Sequence, residues 1–360
     1  MGKSSCVSTK PRPKRRYRLR NWRDYNAALV RRGSLTFWCD EAALAGWRER
    51  GRPEGSTPHR RGRPRTYSDA AITCVLTLRA VYHLTLRGAE GLMQSLVALL
   101  GASRSLDRTI PVSLPVPDYT TLSRRSRRLD VRLPKRVPRG PIHLVVDATG
   151  LKVYGEGEWK VRQHGWTKHR SWLKVHLAVD EASGEIRAIG VSTPAVSDGQ
   201  MLPDLLAAES APLSQVTGDG AYDVRACWAA VAARTERPRA VFPIRRQRSA
   251  ERARRVGQPV AGQRYRARIE QHGNAARPPL ERDMHIRMIR RVGRRRWTEE
   301  TGYHRRSLAE TAVWRLKQLF GDRVTARSFE AQATEVFIRA AALNRMTWLG
   351  MPESELVPAM

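Results

Sequence analysis

Four polar side chains near the C-terminal end of the sequence share a spacing that suits phosphate chemistry. Tyr303, Arg306, Glu310 and Lys317 follow one another at intervals of three, four and seven residues. On a helix these intervals place all four side chains along one face. Glu310 would then ligate a metal ion, while Arg306 and Lys317 contact phosphate. The alternative is an amphipathic helix with a solvated polar face, on which Arg306 and Glu310 form an ordinary ion pair.

Two aspartates follow short apolar runs in the middle of the sequence. Asp147 comes directly after Ile142–Val146, and Asp219 follows Gln215–Thr217. If both runs are strands of one α/β sheet, their carboxyl ends deliver the two carboxylates to the edge where ligands bind. Oxygen ligands suit hard cations such as Mg²⁺. Either aspartate alone is weak evidence, because an Asp after a strand is more often a turn former or a helix cap.

The elements that must position these side chains can be predicted from apolar periodicity. Residues 173–179 alternate with period two and, after the turn Asp180–Gly184, residues 186–191 form the return strand of a hairpin. Helices are predicted over 201–208 and 224–234, and a last strand over 240–244. Strands followed by alternating helix and strand indicate a mixed α/β sheet.

A helical region precedes the sheet. Ser68 is placed to cap a first helix, a second ends at Gly101, and a third begins after Asp118. The third helix has a basic outer face made of Arg124, Arg125, Arg127 and Arg128. Three helices with a basic last one fit a helix-turn-helix-like DNA-binding module. An ordinary helical bundle with a solvated charged face is the alternative.

The net charge points to a polyanionic partner. The 360 residues include 66 Lys or Arg against 34 acidic residues, a formal net charge of +32. Most of this excess lies in residues 1–66 and 245–296. Membrane is a weaker candidate than nucleic acid, since the sequence has neither a long apolar run nor a secretory signal. The four cysteines are widely separated, without the spacing of a zinc or redox site, which indicates incidental thiols in a reducing cytosol.

These motifs together resemble a known family. The pattern Tyr-(2)-Arg-(3)-Glu-(6)-Lys at 303–317 is similar to the C-terminal signature of the insertion-sequence DDE transposases. Val-Asp-Ala-Thr-Gly-Leu-Lys around Asp147 and Gly-Asp-Gly-Ala-Tyr-Asp around Asp219 resemble the other two signature regions. Residues 152–159 and 170–176 resemble the insertion-sequence-five group in particular. The likeness extends over residues 20–348 and departs at Ala148, where that group has Ser.

The resemblance implies a fold and a chemistry. It implies a ribonuclease-H-like core over 139–350, preceded by an arm and linker (1–66) and a helical DNA-binding domain (67–138), with an Arg-rich insertion over 245–296. Asp147, Asp219 and Glu310 would be the catalytic, metal-binding residues, with Asp147 our candidate for bridging two Mg²⁺ ions, for which Mn²⁺ can substitute. DNA would be contacted by the signature residues Tyr303, Arg306 and Lys317.

The expected partners follow from the same resemblance. They are double-stranded DNA, as terminal inverted repeats and as target, and a second copy of the chain in the DNA complex. The expected location is the bacterial cytoplasm, at the nucleoid when DNA is bound. Two other functions stay open: a non-catalytic, sequence-specific DNA-binding protein derived from a transposase, and a nuclease with the same core that acts on RNA or repair intermediates.

Overall fold

The computed structural model describes residues 16–39, 44–49, 65–102, 114–153, 172–245, 269–271 and 280–357. Several predicted features fall outside these residues. They are most of the basic arm that precedes Arg16, the linker 51–64, the segment 154–171 and, within the Arg-rich insertion, residues 246–268 and 272–279.

The described chain alternates helices and strands after a helical first third. The α-helices are Trp22–Arg31 (α1), Leu35–Trp38 (α2), Asp69–Val81 (α3), Leu86–Ala102 (α4), Tyr119–Arg125 (α5), Asp198–Ala207 (α6), Arg225–Ala232 (α7), Glu281–Thr301 (α8), Ser307–Phe320 (α9) and Phe329–Leu349 (α10). The strands are Arg16–Leu19 (β1), Ile142–Val153 (β2), Trp172–Asp180 (β3), Ile186–Ser192 (β4), Leu213–Thr217 (β5), Arg239–Val241 (β6), Arg323–Val324 (β7) and Ser354–Val357 (β8). Short 3₁₀ turns span Gly220–Tyr222 and Tyr303–Arg306.

The central sheet is mixed, as predicted. Its strands run in the order β4-β3-β2-β5-β6, and β7 also pairs with β2. The predicted hairpin is confirmed, because β3 is antiparallel to β4 and also to β2, whereas β5 and β7 are parallel to β2. On one side of β2, pairing with β5 ends at Val145 and pairing with β7 begins at Lys152. The stretch of β2 between these two points has β3 on its other side.

Helices cover both faces of the sheet. Alternate residues of β2 face opposite ways, so Leu144 and Val146 pack with α6, α7 and α8, while Val145 and Leu151 pack with α3, α9 and α10. The core that contains Val145 and Leu151 also includes residues of α4 and α5. The predicted domain boundary at residue 138 therefore does not separate two hydrophobic cores. Buried Asn344 on α10 strengthens this packing by bonding both the N–H and the C=O of Ile186 at 2.8 Å.

Two sequence predictions need correction. The strand predicted over 142–146 continues to Val153, because residues 147–152 pair with β3 despite their polar composition. Asp147 is therefore a mid-strand residue and does not lie at a strand end. In the described part of the Arg-rich insertion, residues 281–296 belong to helix α8, and Ile286 and Ile289 are buried in the core. Residues 281–296 are therefore a helix packed into the hydrophobic core.

The ends of the described chain meet in a small second sheet. β1 pairs antiparallel with β8, and Arg18 forms an ion pair with Glu355 at 3.0 Å. Among the described residues, no helix combines the length and apolar character needed to cross a membrane.

Candidate active site

Asp147 on β2 lies level with Asp219, which follows the end of the neighbouring parallel strand β5. Val145 of β2 pairs with Thr217 of β5, and each aspartate comes two residues later. Asp147 falls where β2 has left β5 and has not yet met β7, so its carboxylate lies beside an interruption in strand pairing. Both aspartates are half-buried. The sheet thus brings together two carboxylates that are distant in the sequence.

Close packing around Asp219 explains its flanking residues. A Cβ atom on Gly218 would lie 2.6 Å from the Tyr222 ring and 2.9 Å from Val146, so only glycine fits there. The Asp219 carboxylate caps the 3₁₀ turn by accepting the N–H of Ala221 at 2.7 Å. The capping role that the sequence left open for such an aspartate is therefore real, and it holds the carboxylate at the end of β5.

Asp223 is the last residue of the same motif and has a structural role that the sequence did not predict. Its buried carboxylate accepts hydrogen bonds from Trp228 Nε1 at 3.1 Å, from the backbone N–H of Arg245 at 2.7 Å and from Arg282 Nε at 2.8 Å. Asp223 therefore ties the segment after β5 to α7, to the end of β6 and to α8. Its position in the Gly-Asp-Gly-Ala-Tyr-Asp motif was the available sequence signal.

The third carboxylate comes from α9. Glu310 is in the first turn of this helix with a side chain that is 51% exposed, and it forms an ion pair with Arg306. The segment 303–317 is not one continuous α-helix, as the spacing predicted, because Tyr303–Arg306 form a 3₁₀ turn after the left-handed Gly302. Glu310 and Lys317 still share a face, two turns apart on α9. The ion pair that the sequence left open as an alternative is present.

The charges of Asp219 and Glu310 both affect the pKa of Asp147. Burial, with the negative charges of Asp219 and Glu310, raises the pKa of Asp147 above its ordinary value, although Arg306 opposes this shift. Burial also raises the pKa of Tyr303, with further contributions from Asp219 and Glu310. The Asp147 carboxylate thus lies within electrostatic range of both other acids and of Arg306.

Three residues outside the signature hold its 3₁₀ turn on the sheet. Glu181, just after β3, forms an ion pair with Arg305 of the turn. Gln215 of β5 donates to the carbonyl of Thr301 at 3.2 Å. The Tyr303 ring packs against Trp297 of α8 with 5.3 Å between the ring centroids. These contacts fix the turn that carries Arg306, and nothing in the local sequence signalled them.

Lys317 and Trp314 extend the exposed face of α9 away from Glu310. Lys317 is half-buried, and the indole of Trp314, one turn after Glu310, is 61% exposed. The opposite face, with Ala312 and Leu316, is buried in the core. Trp314 was passed over in the sequence, where its spacing of four from Glu310 was the only signal.

Comparison with known proteins agrees with this arrangement. Two protein-family models match the chain, both described as a transposase DDE domain, one over residues 138–345 and the other over residues 30–156. The first match spans more than half of the chain and includes all three carboxylates. The chain belongs to the DDE transposase family. No solved structure matches it.

As a DDE transposase, the protein acts on DNA with a chemistry that in this family generally uses divalent metal ions. The donor set fits such ions, because carboxylate oxygens suit hard cations, and a bound cation would offset the burial that raises the pKa of Asp147. Within the described ranges, however, no three His, Cys, Asp or Glu side chains stand as a preformed metal cage. The chemistry of the three carboxylates fits a divalent metal ion.

The four arginines predicted to contact DNA do not face the same way. Arg124, Arg127 and Arg128 of this transposase are exposed at the end of α5. Arg125 points inward, donates to the carbonyl of Tyr67 at 2.8 Å and forms an ion pair with Asp69. The helical cap predicted at Asp118 is present. Three of the four guanidinium groups are therefore on the outer face, and Arg125 holds α5 against the start of α3.

Proposed function

We propose that this transposase binds the terminal inverted repeats of an insertion sequence, cleaves DNA at the element ends and joins the freed 3′-OH to target DNA. Asp147, Asp219 and Glu310 are the proposed catalytic carboxylates on a ribonuclease-H-like core, and the insertion-sequence-five group is the proposed family branch. The observation that carries the proposal is the register of β2 against β5, which brings Asp147 beside Asp219, with Glu310 near enough to contribute to the raised pKa of Asp147.

The chain's own residues supply binding and positioning. Two Mg²⁺ ions, or Mn²⁺ in their place, would activate a water for in-line attack and stabilise the leaving 3′-oxygen. The three carboxylates would hold these ions at the interruption between β5 and β7. Arg306 pairs with Glu310, and its guanidinium would suit a DNA phosphate if the carboxylate bound metal instead. Tyr303 and Lys317 are proposed to contact the same strand, and no covalent protein–DNA intermediate is required.

The proposed partners follow from this reaction. Two DNA ends must be held together, so a homodimer is proposed in the DNA complex. Arg124, Arg127 and Arg128 are proposed to contact duplex DNA, and Arg125 to orient their helix. The bacterial cytoplasm, with association to the nucleoid through DNA, is the proposed location.

Neutralising Glu310 tests the assignment. We expect Glu310→Gln to lower Mg²⁺-dependent end cleavage by about a hundredfold or more, the order found when a group that stabilises developing charge is lost. DNA affinity without metal should change little. Glu299→Gln, an exposed acid on α8, is the matched control. Near-normal cleavage by Glu310→Gln would remove Glu310 from the catalytic set.

One observation favours the non-catalytic alternative. The Glu310 carboxylate is already paired with the Arg306 guanidinium, an arrangement that suits a DNA-binding protein that holds no metal. Wild-type protein that binds the inverted repeats but shows no nicking with Mg²⁺ or Mn²⁺ would establish this alternative.

A further inference from the structure

A basic cavity lies between the helical first third of the chain and the start of α10, away from the three carboxylates. Its volume is about 310 Å³, and Arg79 of α3, Arg127 just beyond α5 and Arg327 just before α10 line it. Three guanidinium groups from distant parts of the sequence thus surround one space. Ser126 and Ser328 add hydroxyl groups to its wall.

The acid in this wall is already neutralised. Glu335 accepts the backbone N–H groups of Thr325 and Ala326 at 3.0 Å and forms an ion pair with Arg339. Its carboxylate is therefore fully used inside the fold. The three arginines that line the cavity therefore give it an excess of positive charge.

The arginines keep hydrogen-bonding capacity. Arg79 donates through Nη2 to the hydroxyl of Thr325, an uncharged partner that leaves its positive charge in place. Arg127 and Arg327 are exposed, and neither forms an ion pair within the part of the chain that the structure describes. Guanidinium groups bind phosphate through paired N–H donors, so the cavity offers what an anionic phosphate requires.

The surroundings of the cavity favour DNA over a small anion. Two of its wall residues, Ser123 and Arg127, are next in sequence to the exposed Arg124 and Arg128, and a second cavity of about 270 Å³, lined in part by Arg323 and its partner Asp322, shares Arg79 with it. Further arginines thus lie next to the site along the chain, as a polymer of regularly spaced phosphates needs. The 21-residue helix α10 begins at the cavity and directs its positive end there.

We propose that the cavity of Arg79, Arg127 and Arg327 binds a backbone phosphate of duplex DNA and fixes how the duplex lies across α5 and α10. The inference rests on the proposed function in taking double-stranded DNA as the partner. It adds a contact that belongs to neither the catalytic signature nor the basic face of α5 alone.

Salt-dependent binding tests the proposal. Full-length protein is titrated against a labelled mixed-sequence duplex without divalent metal, at several NaCl concentrations. We expect Arg327→Gln to weaken binding about tenfold at low salt and to lower the slope of log K against log[salt] by about 1, the value for one phosphate contact. Arg327 is exposed, so folding is preserved, which thermal melting verifies.

The matched control removes the same charge elsewhere. Arg237→Gln changes one exposed arginine just before β6, at the far end of that strand from the carboxylates, and should keep the wild-type slope. An equal slope for the cavity variant and this control would overturn the proposal. At saturating protein, the cavity variant should still cleave element ends with Mg²⁺ when Glu310→Gln does not. That result separates failure of the cavity from failure of the catalytic assignment.

Discussion

At the scale of single residues, the site depends on side chains that do not react. Asp219 is aimed by its own cap and by the absence of a Cβ on Gly218, and Asp223 holds the following segment. Asp219 therefore keeps its position because its neighbours are Gly218, Tyr222 and Asp223. The motif fixes the local packing as well as supplying the proposed ligand.

Gly218→Ala should damage both stability and activity. The added Cβ meets Tyr222 and Val146 within 3 Å, so the segment that carries Asp219 must shift. We expect the free energy of unfolding to fall by about 1–3 kcal/mol, as for other overpacked sites, with a loss of end cleavage. Chemical denaturation measures the first effect. Gly140→Ala is the control, because nothing lies within 4 Å of its Cβ position, and equal stability of the two variants would contradict the packing argument.

At the scale of elements, local signals placed helices better than strands. Ser68 and Asp118 cap α3 and α5 as predicted, because a cap is a contact within a few residues. Strand β2 was predicted too short, because residues 147–152 are held by hydrogen bonds to β3 and have no apolar pattern of their own. The break between the 3₁₀ turn and α9 likewise depends on contacts from Glu181 and Gln215.

Removing the cap of α5 should weaken both the helix and its DNA contacts. The Asp118 carboxylate accepts the N–H groups of Thr120 and Thr121 at 2.8 Å. Asp118→Ala should lower the free energy of unfolding by about 1–2 kcal/mol and reduce DNA affinity, because the arginines at the end of the helix lose their fixed positions. Asp118→Asn, which still caps, should lose much less in both assays. Asp130→Ala, where the side chain is 80% exposed, serves as the surface control.

At the scale of the whole molecule, the sheet joins two hydrophobic cores, and buried polar groups tie them together. His285 is buried on one side, where its Nδ1 accepts Trp297 Nε1 at 2.8 Å and its Nε2 donates to the Ala240 carbonyl. His143 lies within the sheet beside Thr217 at 2.8 Å. Burial lowers the pKa of each imidazole to about 4, from about 6.5.

These histidines make stability depend on pH. In the unfolded chain they take up protons near pH 6.5, whereas the folded protein resists protonation down to about pH 4. The free energy of unfolding should therefore fall as the pH drops from 6.5 to 4, by at most about 3 kcal/mol for each group. Urea denaturation across this range measures the slope. His285→Asn should flatten it, while the exposed His304→Gln should not, and an unchanged slope for His285→Asn would exclude its contribution.

The sequence by itself determined the family signature, the basic charge and the order of most helices and strands, and it predicted the three proposed catalytic carboxylates. Spacing, capping and periodicity are short-range, so they can be read along the chain. Only the tertiary structure decided that Asp147 is mid-strand and level with Asp219, that Arg125 turns inward, and that the Sγ atoms of Cys39 and Cys74 lie 3.0 Å apart. It also decided which arginines share a cavity. Strand register and helix packing join residues many positions apart, and no local pattern specifies which distant side chains will meet.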